Sequence, residues 1–284
     1  MLIFQESGRL GNQLFQYAAL KSLSQSDEKL ILLGFSDLES TFDGIEAKII
    51  NSNNPRLERS IYYRIYHQLN IFSNRRILVR IGESYQENKH QITQRQGIFN
   101  SIKFVEQSYF QDQSLFSPKN IKTLTFKSSL LFSVNSLLEV ISPSNTNIFV
   151  HIRRSDYLSW PSKNSPAVLP ASYYRKCINI IRSQVANPFF IFTSDDPFYV
   201  KDIFSDLNNS YISRGSSIED FTLMSHCSGG ILSASSFSWW SAYFAKSYNS
   251  NGIFLAPKFW AGHSVKSWFP QTIESDFLTF VDVY

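Results

Sequence analysis

An α/β fold built on parallel sheets is what this sequence predicts, and three observations carry that expectation. The chain has 284 residues, long for one simple core and comfortable for two domains of ordinary size. It is 43% hydrophobic and 18% charged, with 25 Phe and 14 Tyr, so there is ample apolar surface to bury and the composition is not that of a disordered chain. Its apolar runs are short, apolar on both faces and alternate with helical stretches. Strands of that kind belong to a parallel sheet covered on two sides.

The second half has the clearer rhythm. Ile148-Phe149-Val150 reads as a strand ending at His151. A helix from Tyr173 to Val185 follows Pro170 and is stopped by Asn187-Pro188. Phe189 to Phe192 is too short and too aromatic for a helix and reads as a strand, followed by the turn Ser194-Asp195-Asp196-Pro197. A short helix from Phe198 to Phe204 leads to a strand at Tyr211-Ile212. Ser217 is then the expected N-cap of a helix running to His226. Gly230-Ile231-Leu232 is a strand, Trp239 to Lys246 a helix and Ile253-Phe254-Leu255 a strand. The right-handed crossover rule makes this a Rossmann-like layer.

The first half repeats the theme. Leu2-Ile3-Phe4 is a strand, Ser7 to Asn12 a loop, and Gln13 to Leu23 a helix with Leu14, Phe15, Tyr17 and Ala18 on its apolar stripe; Leu30 to Leu33 is the next strand. Residues 51–100 carry scattered Arg, Tyr, Asn and Gln and read as helices and loops. The domain boundary is expected within Ser142-Pro143-Ser144-Asn145, giving domains 1–143 and 144–264, with the segment 265–284 crossing back onto the first.

Composition closes off several classes. Lys and Arg number 27 against 23 Asp and Glu, a net charge of +4 without a basic block, so no nucleic-acid partner is expected. Two cysteines, Cys177 and Cys227, are too few for a disulfide framework or a Cys-based zinc site, and the five histidines show no ligand spacing. No metal site is expected. The opening residues reach Glu6 and Arg9 at once, which argues against a signal peptide and for a cytoplasmic protein. From Phe221 to Ala245 no residue is charged, but the many serines make this stretch too polar for a lipid-facing helix. It reads as a buried strand between two helices.

Ligands in doubly wound sheets sit beyond the carboxyl ends of the strands, and four polar clusters follow strands here: His151 to Asp156, Thr193 to Asp196, Ser213 to Ser217 and Ser233 to Ser238. Adjacent Arg153 and Arg154 suit a bidentate grip on phosphate, or an ion-paired loop in which Asp156 holds Arg154. Asp195-Asp196-Pro197 offers either a metal carboxylate pair or a turn and helix cap; the chain contains no Asp-x-Asp motif. Glu219-Asp220 and Ser235-Ser236-Phe237-Ser238 each open a helix, where free N–H groups favour phosphate and serines also serve as caps. Gly8-Arg9-Leu10-Gly11-Asn12 allows close backbone approach to a ligand or an ordinary strand-to-helix turn.

Taken together, these clusters resemble a known family. Gly8-Arg9-Leu10-Gly11-Asn12-Gln13-Leu14-Phe15-Gln16-Tyr17-Ala18, His151-Ile152-Arg153-Arg154-Ser155-Asp156-Tyr157, Phe192-Thr193-Ser194-Asp195-Asp196 and the stretch Asp220 to Trp240 are similar, in order, to the motifs of glycosyltransferase family 11, the galactoside α-1,2-fucosyltransferases in their short bacterial form. The resemblance implies a GT-B fold, two Rossmann-like domains facing across a cleft, with the first binding acceptor and the second GDP-sugar. It implies inverting, metal-independent transfer of L-fucose from GDP-β-L-fucose to the 2-hydroxyl of a galactoside, in bacterial surface polysaccharide or O-antigen synthesis. GDP-fucose is then a donor substrate and no cofactor is needed.

The family pattern also assigns roles. Arg153 and Arg154 neutralise the leaving diphosphate; Asp156 is either the catalytic base or a partner of Arg154, and the leaving phosphate is the other group able to take the acceptor proton. His151, Arg153, Ser235, Ser236, Phe237 and Ser238 bind the donor, Asp220 reads the guanine, and Asn12 reaches in from the first domain. The acceptor-binding residues are left unassigned. The implied partners are GDP-fucose and a galactose-containing glycan, lipid-linked in one version, with peripheral contact to the inner membrane in that case. Three alternatives stand beside this reading: a fucosyltransferase of another linkage, a transferase of a related GDP-deoxy-sugar, and an inactive GDP-sugar-binding scaffold.

Overall fold

The protein is described from a computed structural model covering residues 1–51, 55–86, 89–142 and 145–284. The chain parts into two compact units, Met1–Lys127 and Ser128–Tyr284. The boundary expected at residues 143 and 144 lies outside the described residues; the division falls earlier, so that residues 128–141 group with the second unit rather than the first.

In the first unit the chain runs β1 (Leu2–Gln5), α1 (Leu10–Leu23), β2 (Leu30–Leu33), α2 (Ser36–Thr41), β3 (Phe42–Asp43), β4 (Lys48–Ile50), α3 (Pro55–Asn74), β5 (Leu78–Gln86), β6 (Lys89–Arg95), β7 (Phe99–Val105) and β8 (Thr125–Phe126). Its main sheet has the order β4-β2-β1-β7-β5-β6. All neighbours are parallel except β6, which pairs antiparallel with β5. The three strands between residues 78 and 105 correct the expectation of helices and loops there. β6, Lys-His-Gln-Ile-Thr-Gln-Arg, is a polar edge strand, and the first half of β7 is exposed, so neither presents the apolar run of a doubly covered strand.

Helix α1 starts at Leu10 rather than Gln13, which places Gly11 and Asn12 in its first turn. Arg9, at the N-cap, makes no side-chain cap bond. The cap comes from elsewhere: the Asp37 carboxylate accepts the Leu10 N–H at 3.2 Å. A cap supplied from a remote segment leaves no local mark at the helix start. Gly8 has φ +91°, a conformation that favours glycine, and a Cβ there would also have to displace the Asn12 side chain.

The second unit runs α4 (Ser128–Ile141), β9 (Thr146–Ile152), β10 (Pro161–Ser162), β11 (Ser165–Pro166), α5 (Ala171–Gln184), β12 (Pro188–Ser194), α6 (Pro197–Ile203), β13 (Ser210–Ile212), α7 (Ser217–Ser225), β14 (Gly229–Ile231), α8 (Ser236–Tyr248), β15 (Phe254–Pro257) and β16 (Thr279–Val281). The main sheet is wholly parallel, in the order β13-β12-β9-β14-β15-β16. Counted along the chain within this sheet, that is the doubly wound order 3-2-1-4-5-6, whose direction reverses between β9 and β14.

Helix α5 illustrates how the layers close. Tyr173, Tyr174, Cys177, Ile178 and Ile181 form a buried stripe at helical spacing and join Ile148, Val150, Phe190 and Phe192 of the sheet in one core. Asn187, with φ 49°, turns the chain into β12. The α7 N-cap is Ser216, in a reciprocal capping box with Glu219, one residue before the serine expected from sequence. The segment 265–284, expected to cross back, instead provides β16, paired with β15 from Leu255–Thr279 to Pro257–Val281. Its Val281 and Val283 are buried in the second unit's core, which is the apolar gain that keeps the segment there. Among the described residues no helix is long and apolar enough to cross a membrane.

Candidate active site

The motif residues of the second unit gather at the C-terminal ends of its parallel strands. Arg153 and Arg154 leave β9, Asp195 and Asp196 leave β12, Ser213 leaves β13, and the loop 232–235 joins β14 to α8. In that loop Ser235 is the N-cap of α8 and accepts the Phe237 N–H at 3.3 Å, a bond of a kind worth about 1 kcal/mol to a helix.

The arginines are held by carboxylates. Arg153 is 2.6 Å from Asp156 Oδ1 through Nη2 and 3.1 Å from Asp195 Oδ2 through Nη1. Arg154 donates its Nε–H to Asp196 Oδ2 at 3.1 Å, and its backbone N–H to Asp195 Oδ1 at 2.9 Å. Its guanidinium also covers the Tyr199 ring at 3.6 Å. Asp156 therefore partners Arg153, not Arg154 as expected, because Arg154 is turned toward β12 and α6. Asp196 doubles as the N-cap of α6, accepting the Tyr199 N–H at 3.0 Å. Asp195 and Asp196 are thus partners of arginine, and the described residues contain no cluster of His, Cys, Asp or Glu that could hold a metal ion.

His151 is buried at the switch point. Its Nδ1 lies 2.6 Å from Ser233 Oγ, and its ring packs 5.4 Å from that of Phe237. Burial, reinforced by the charge of Arg153, pushes its pKa down to about 3, so the ring is neutral. Phe237 also meets Phe221 at 5.2 Å, which ties the α8 opening to α7. Tyr157 donates its hydroxyl to the Ala234 carbonyl at 2.9 Å and lies under Arg153 at 5.6 Å. It was not among the expected site residues, although it closes the same motif; burial pushes its phenol up to about 12.

Asp220 stands in the first turn of α7 and accepts a short hydrogen bond from the Ser213 hydroxyl. Burial raises its pKa to about 6, against the lowering effect of Ser213, with Glu219 adding to the rise. Ser238 corrects an expectation. It is fully buried, and its single hydroxyl proton is shared between the carbonyls of Ser233 and Ser235, 3.1 Å away each, so it shapes the loop and presents no hydroxyl proton to a ligand. Ser236 is half-buried at the first residue of α8.

The first unit has its own polar layer at the C-terminal ends of its strands. Asn12 accepts from Gln111 Nε2 at 2.8 Å. Gln13, buried, bonds Glu6 and the Leu38 N–H, and Gln16 bonds Ser7 and the Ser108 carbonyl. These two amides give the N-terminal motif a structural reason. Nearby, Glu83 pairs with His90 and accepts from Ser108, and Asp112 lies 4.0 Å from His90. Burial disfavours the charged imidazole, but the bond and charge of Glu83, with Asp112 behind it, outweigh burial and raise the His90 pKa. No spacing in the sequence links these residues; the β5–β6 hairpin and the loop after β7 bring them together.

Comparison with known proteins agrees with this architecture. The model of Glycosyl transferase family 11 matches residues 2–274. The O-antigen biosynthesis glycosyltransferase WbnK of Escherichia coli is 27% identical, covering 92% of this chain and 95% of that one. The alpha-1,2-colitosyltransferase of Escherichia coli is 29% identical, covering 92% of each. The galactoside alpha-(1,2)-fucosyltransferase 2 of Rattus norvegicus is 23% identical over 90% of this chain and 69% of its own length. Among solved structures, the alpha-1,6-fucosyltransferase NodZ co-crystallized with GDP is similar with a TM-score of 0.51, 12% identity, and coverage of 89% of this chain and 94% of that one. The likeness establishes the fold class as GT-B.

Proposed function

The chain belongs to glycosyl transferase family 11 and is a glycosyltransferase, and from that premise we propose that it transfers L-fucose from GDP-β-L-fucose to the 2-hydroxyl of a galactoside. The transfer inverts the anomeric carbon, needs no metal and serves the synthesis of a bacterial surface polysaccharide. The names of the relatives support the context, linkage and sugars: O-antigen synthesis for one, α-1,2 linkage for another, fucose and galactoside for the third. GDP in the NodZ structure supports the nucleotide.

One observation carries the reading. Arg153 and Arg154 stand together at the strand ends of a 3-2-1-4-5-6 sheet, and Tyr157 joins Arg153 to the loop that opens α8. Guanidinium groups and a helix N-terminus are the means by which a site neutralises a departing diphosphate when no metal does so. As the sugar–phosphate bond breaks, its electron pair passes to the phosphate oxygen, and these groups hold that charge. The acceptor oxygen bonds to the anomeric carbon from the opposite face. Asp156 is engaged with Arg153, so the acceptor proton passes to a phosphate oxygen of the departing GDP. Asp220 accepts from the guanine N1–H and 2-amino group.

A second reading keeps the mechanism and changes the donor sugar, on the ground of the relative named as a colitosyltransferase. Incubation with GDP-fucose and, in parallel, a colitosyl donor, over a panel of galactose-terminated acceptors with linkage analysis of the product, decides between the two. A new α-1,2-fucosyl linkage is the expected result. GDP binding with no transfer from any donor would make the chain a scaffold.

A further inference from the structure

Past Arg153 the chain builds a surface that the motifs do not account for. The guanidinium lies over Tyr157 at 5.6 Å, Tyr157 meets Trp160 at 5.0 Å, and Trp160 meets Phe269 at 5.7 Å between ring centroids. The row therefore leads outward from the arginine, ring by ring. Its outer members are open to solvent: Trp160 is 40% exposed and Phe269 44% exposed. Large aromatic rings exposed as a contiguous patch beside a polar site mark a ligand-binding surface more often than an accident of packing.

The rings are exposed, but their backbones are fixed. Trp160 donates its N–H to the Asp156 carbonyl at 3.0 Å, and its own carbonyl takes the Ala167 N–H at 2.7 Å across the small β10–β11 hairpin. Phe269 donates to the Phe259 carbonyl at 3.4 Å and accepts from Ala261 at 3.1 Å. That second turn depends on Gly262, where a Cβ would lie 1.9 Å from the Ser267 carbonyl oxygen. Two separate segments, 157–168 and 259–269, are each pinned so as to present one aromatic ring to the same place. A surface held in advance of its ligand binds at lower entropic cost.

We propose that Trp160 and Phe269 form a platform for the first sugar ring of the acceptor, stacking on the apolar C–H face of a galactose-type pyranose. The occupant follows from the order of the row and rests on the glycosyl-transfer reading above; it places an acceptor contact on the second unit, in addition to the first unit to which the family resemblance assigns the acceptor. With the diphosphate at Arg153, the donor sugar attached to it lies beside Tyr157. A pyranose is about as broad as an aromatic ring, so the next ring outward, over Trp160 and Phe269, is that of the acceptor. Aromatic faces recognise the C–H patch of a sugar through dispersion and burial of apolar surface, and they leave its hydroxyls to polar neighbours.

Steady-state kinetics with GDP-fucose and methyl β-D-galactoside test this in the full chain. Trp160→Ala and Phe269→Ala should each raise the acceptor KM about 10-fold, the effect of losing roughly 1.4 kcal/mol of contact. Trp160→Phe should recover most of it. The donor KM and the calorimetric affinity for GDP should stay within about 2-fold of wild type, which also certifies that each variant is folded. An unchanged acceptor KM in both alanine variants overturns the platform, and so does an equal loss of GDP affinity. Should the wild type transfer nothing to galactosides, the fault lies in the functional reading, and saturation-transfer NMR with methyl β-D-galactoside and methyl β-D-glucoside judges the platform instead. Ring-proton transfer to either probe that disappears in both alanine variants supports it; transfer that persists, or none in the wild type, overturns it.

Discussion

The Nδ1 atom of His151 lies 2.6 Å from the hydroxyl oxygen of Ser233, and this contact bridges β9 and the loop after β14, where the sheet's winding reverses. A buried neutral imidazole can be half of such a bond without bringing a charge into the core. The consequence is a fixed spacing between the arginine-bearing loop and the loop that opens α8, set by two side chains that need touch no ligand.

The depressed His151 pKa has a sign that can be checked. The unfolded chain takes up a proton near the ordinary histidine value of about 6.5, whereas the folded ring does so only near 3. The stability tied to this residue is therefore present above about pH 6.5 and lost as pH falls toward 3. The melting temperature of the wild type should drop more steeply between about pH 7 and about pH 4.5 than that of His151→Asn. Parallel pH profiles in scanning calorimetry would remove the neutral buried histidine from the account.

Arg153→Ala should lower kcat by at least ~10²-fold, the scale on which single electrostatic groups act in a transition state. Arg153→Lys should restore little, because a point charge cannot reproduce a planar fork whose arms reach Asp156 and Asp195 in the free protein and a phosphate in the complex. Near-normal turnover in Arg153→Ala would exclude the residue from the reaction.

Activity should survive excess EDTA. Asp195 and Asp196, the one adjacent acidic pair in the motif, are already engaged with Arg153, Arg154 and the α6 cap. Complete loss on chelation, restored by Mg²⁺ or Mn²⁺, would mean that the pair rearranges to bind an ion.

Asp220→Asn should weaken GDP binding by about 10- to 100-fold, as expected for losing a charged hydrogen bond of roughly 1.5–3 kcal/mol, and ADP should not compete in the wild type. A pH dependence accompanies this. With the carboxyl raised to about 6 in the free protein and guanine favouring the ionised form, GDP affinity should rise between about pH 5 and about pH 7.5, with a proton released on binding. Asp220→Asn should show a smaller rise, the part that remains belonging to the terminal phosphate of GDP, whose second ionisation falls at about pH 6. Calorimetric titration at several pH values decides; a wild-type profile no steeper than the mutant's, with unchanged mutant affinity, leaves Asp220 a helix-start residue only.

The second unit was readable in the sequence because its strands are covered on both faces. Runs such as Phe189 to Phe192 declare themselves, and each is followed directly by the polar residues of the site. Most of the first unit's sheet between residues 78 and 105 was not readable, since a polar antiparallel edge strand looks like a loop. Local pattern also cannot report a partner from elsewhere in the chain. Asp37 at the start of α1 is one case, and Asp196, which holds Arg154 and so leaves Asp156 to Arg153, is another. Ser238 shows the same limit from the other side: its motif position suggested a donor contact, while its neighbours in space turn its hydroxyl inward.

The pairing of Arg153 with Asp156 and Asp195, and of Arg154 with Asp196, also bears on how fast a donor can arrive. A pocket of unopposed guanidinium groups would project a field that draws an anionic nucleotide from solution and fades as salt is added. Here the acidic neighbours cancel that field at a distance, so encounter is governed by ordinary diffusion. Attraction begins only when the diphosphate is close enough to displace a carboxylate from its arginine. Capture becomes an exchange of counter-ions rather than a pull, and its bimolecular rate should hardly vary with ionic strength.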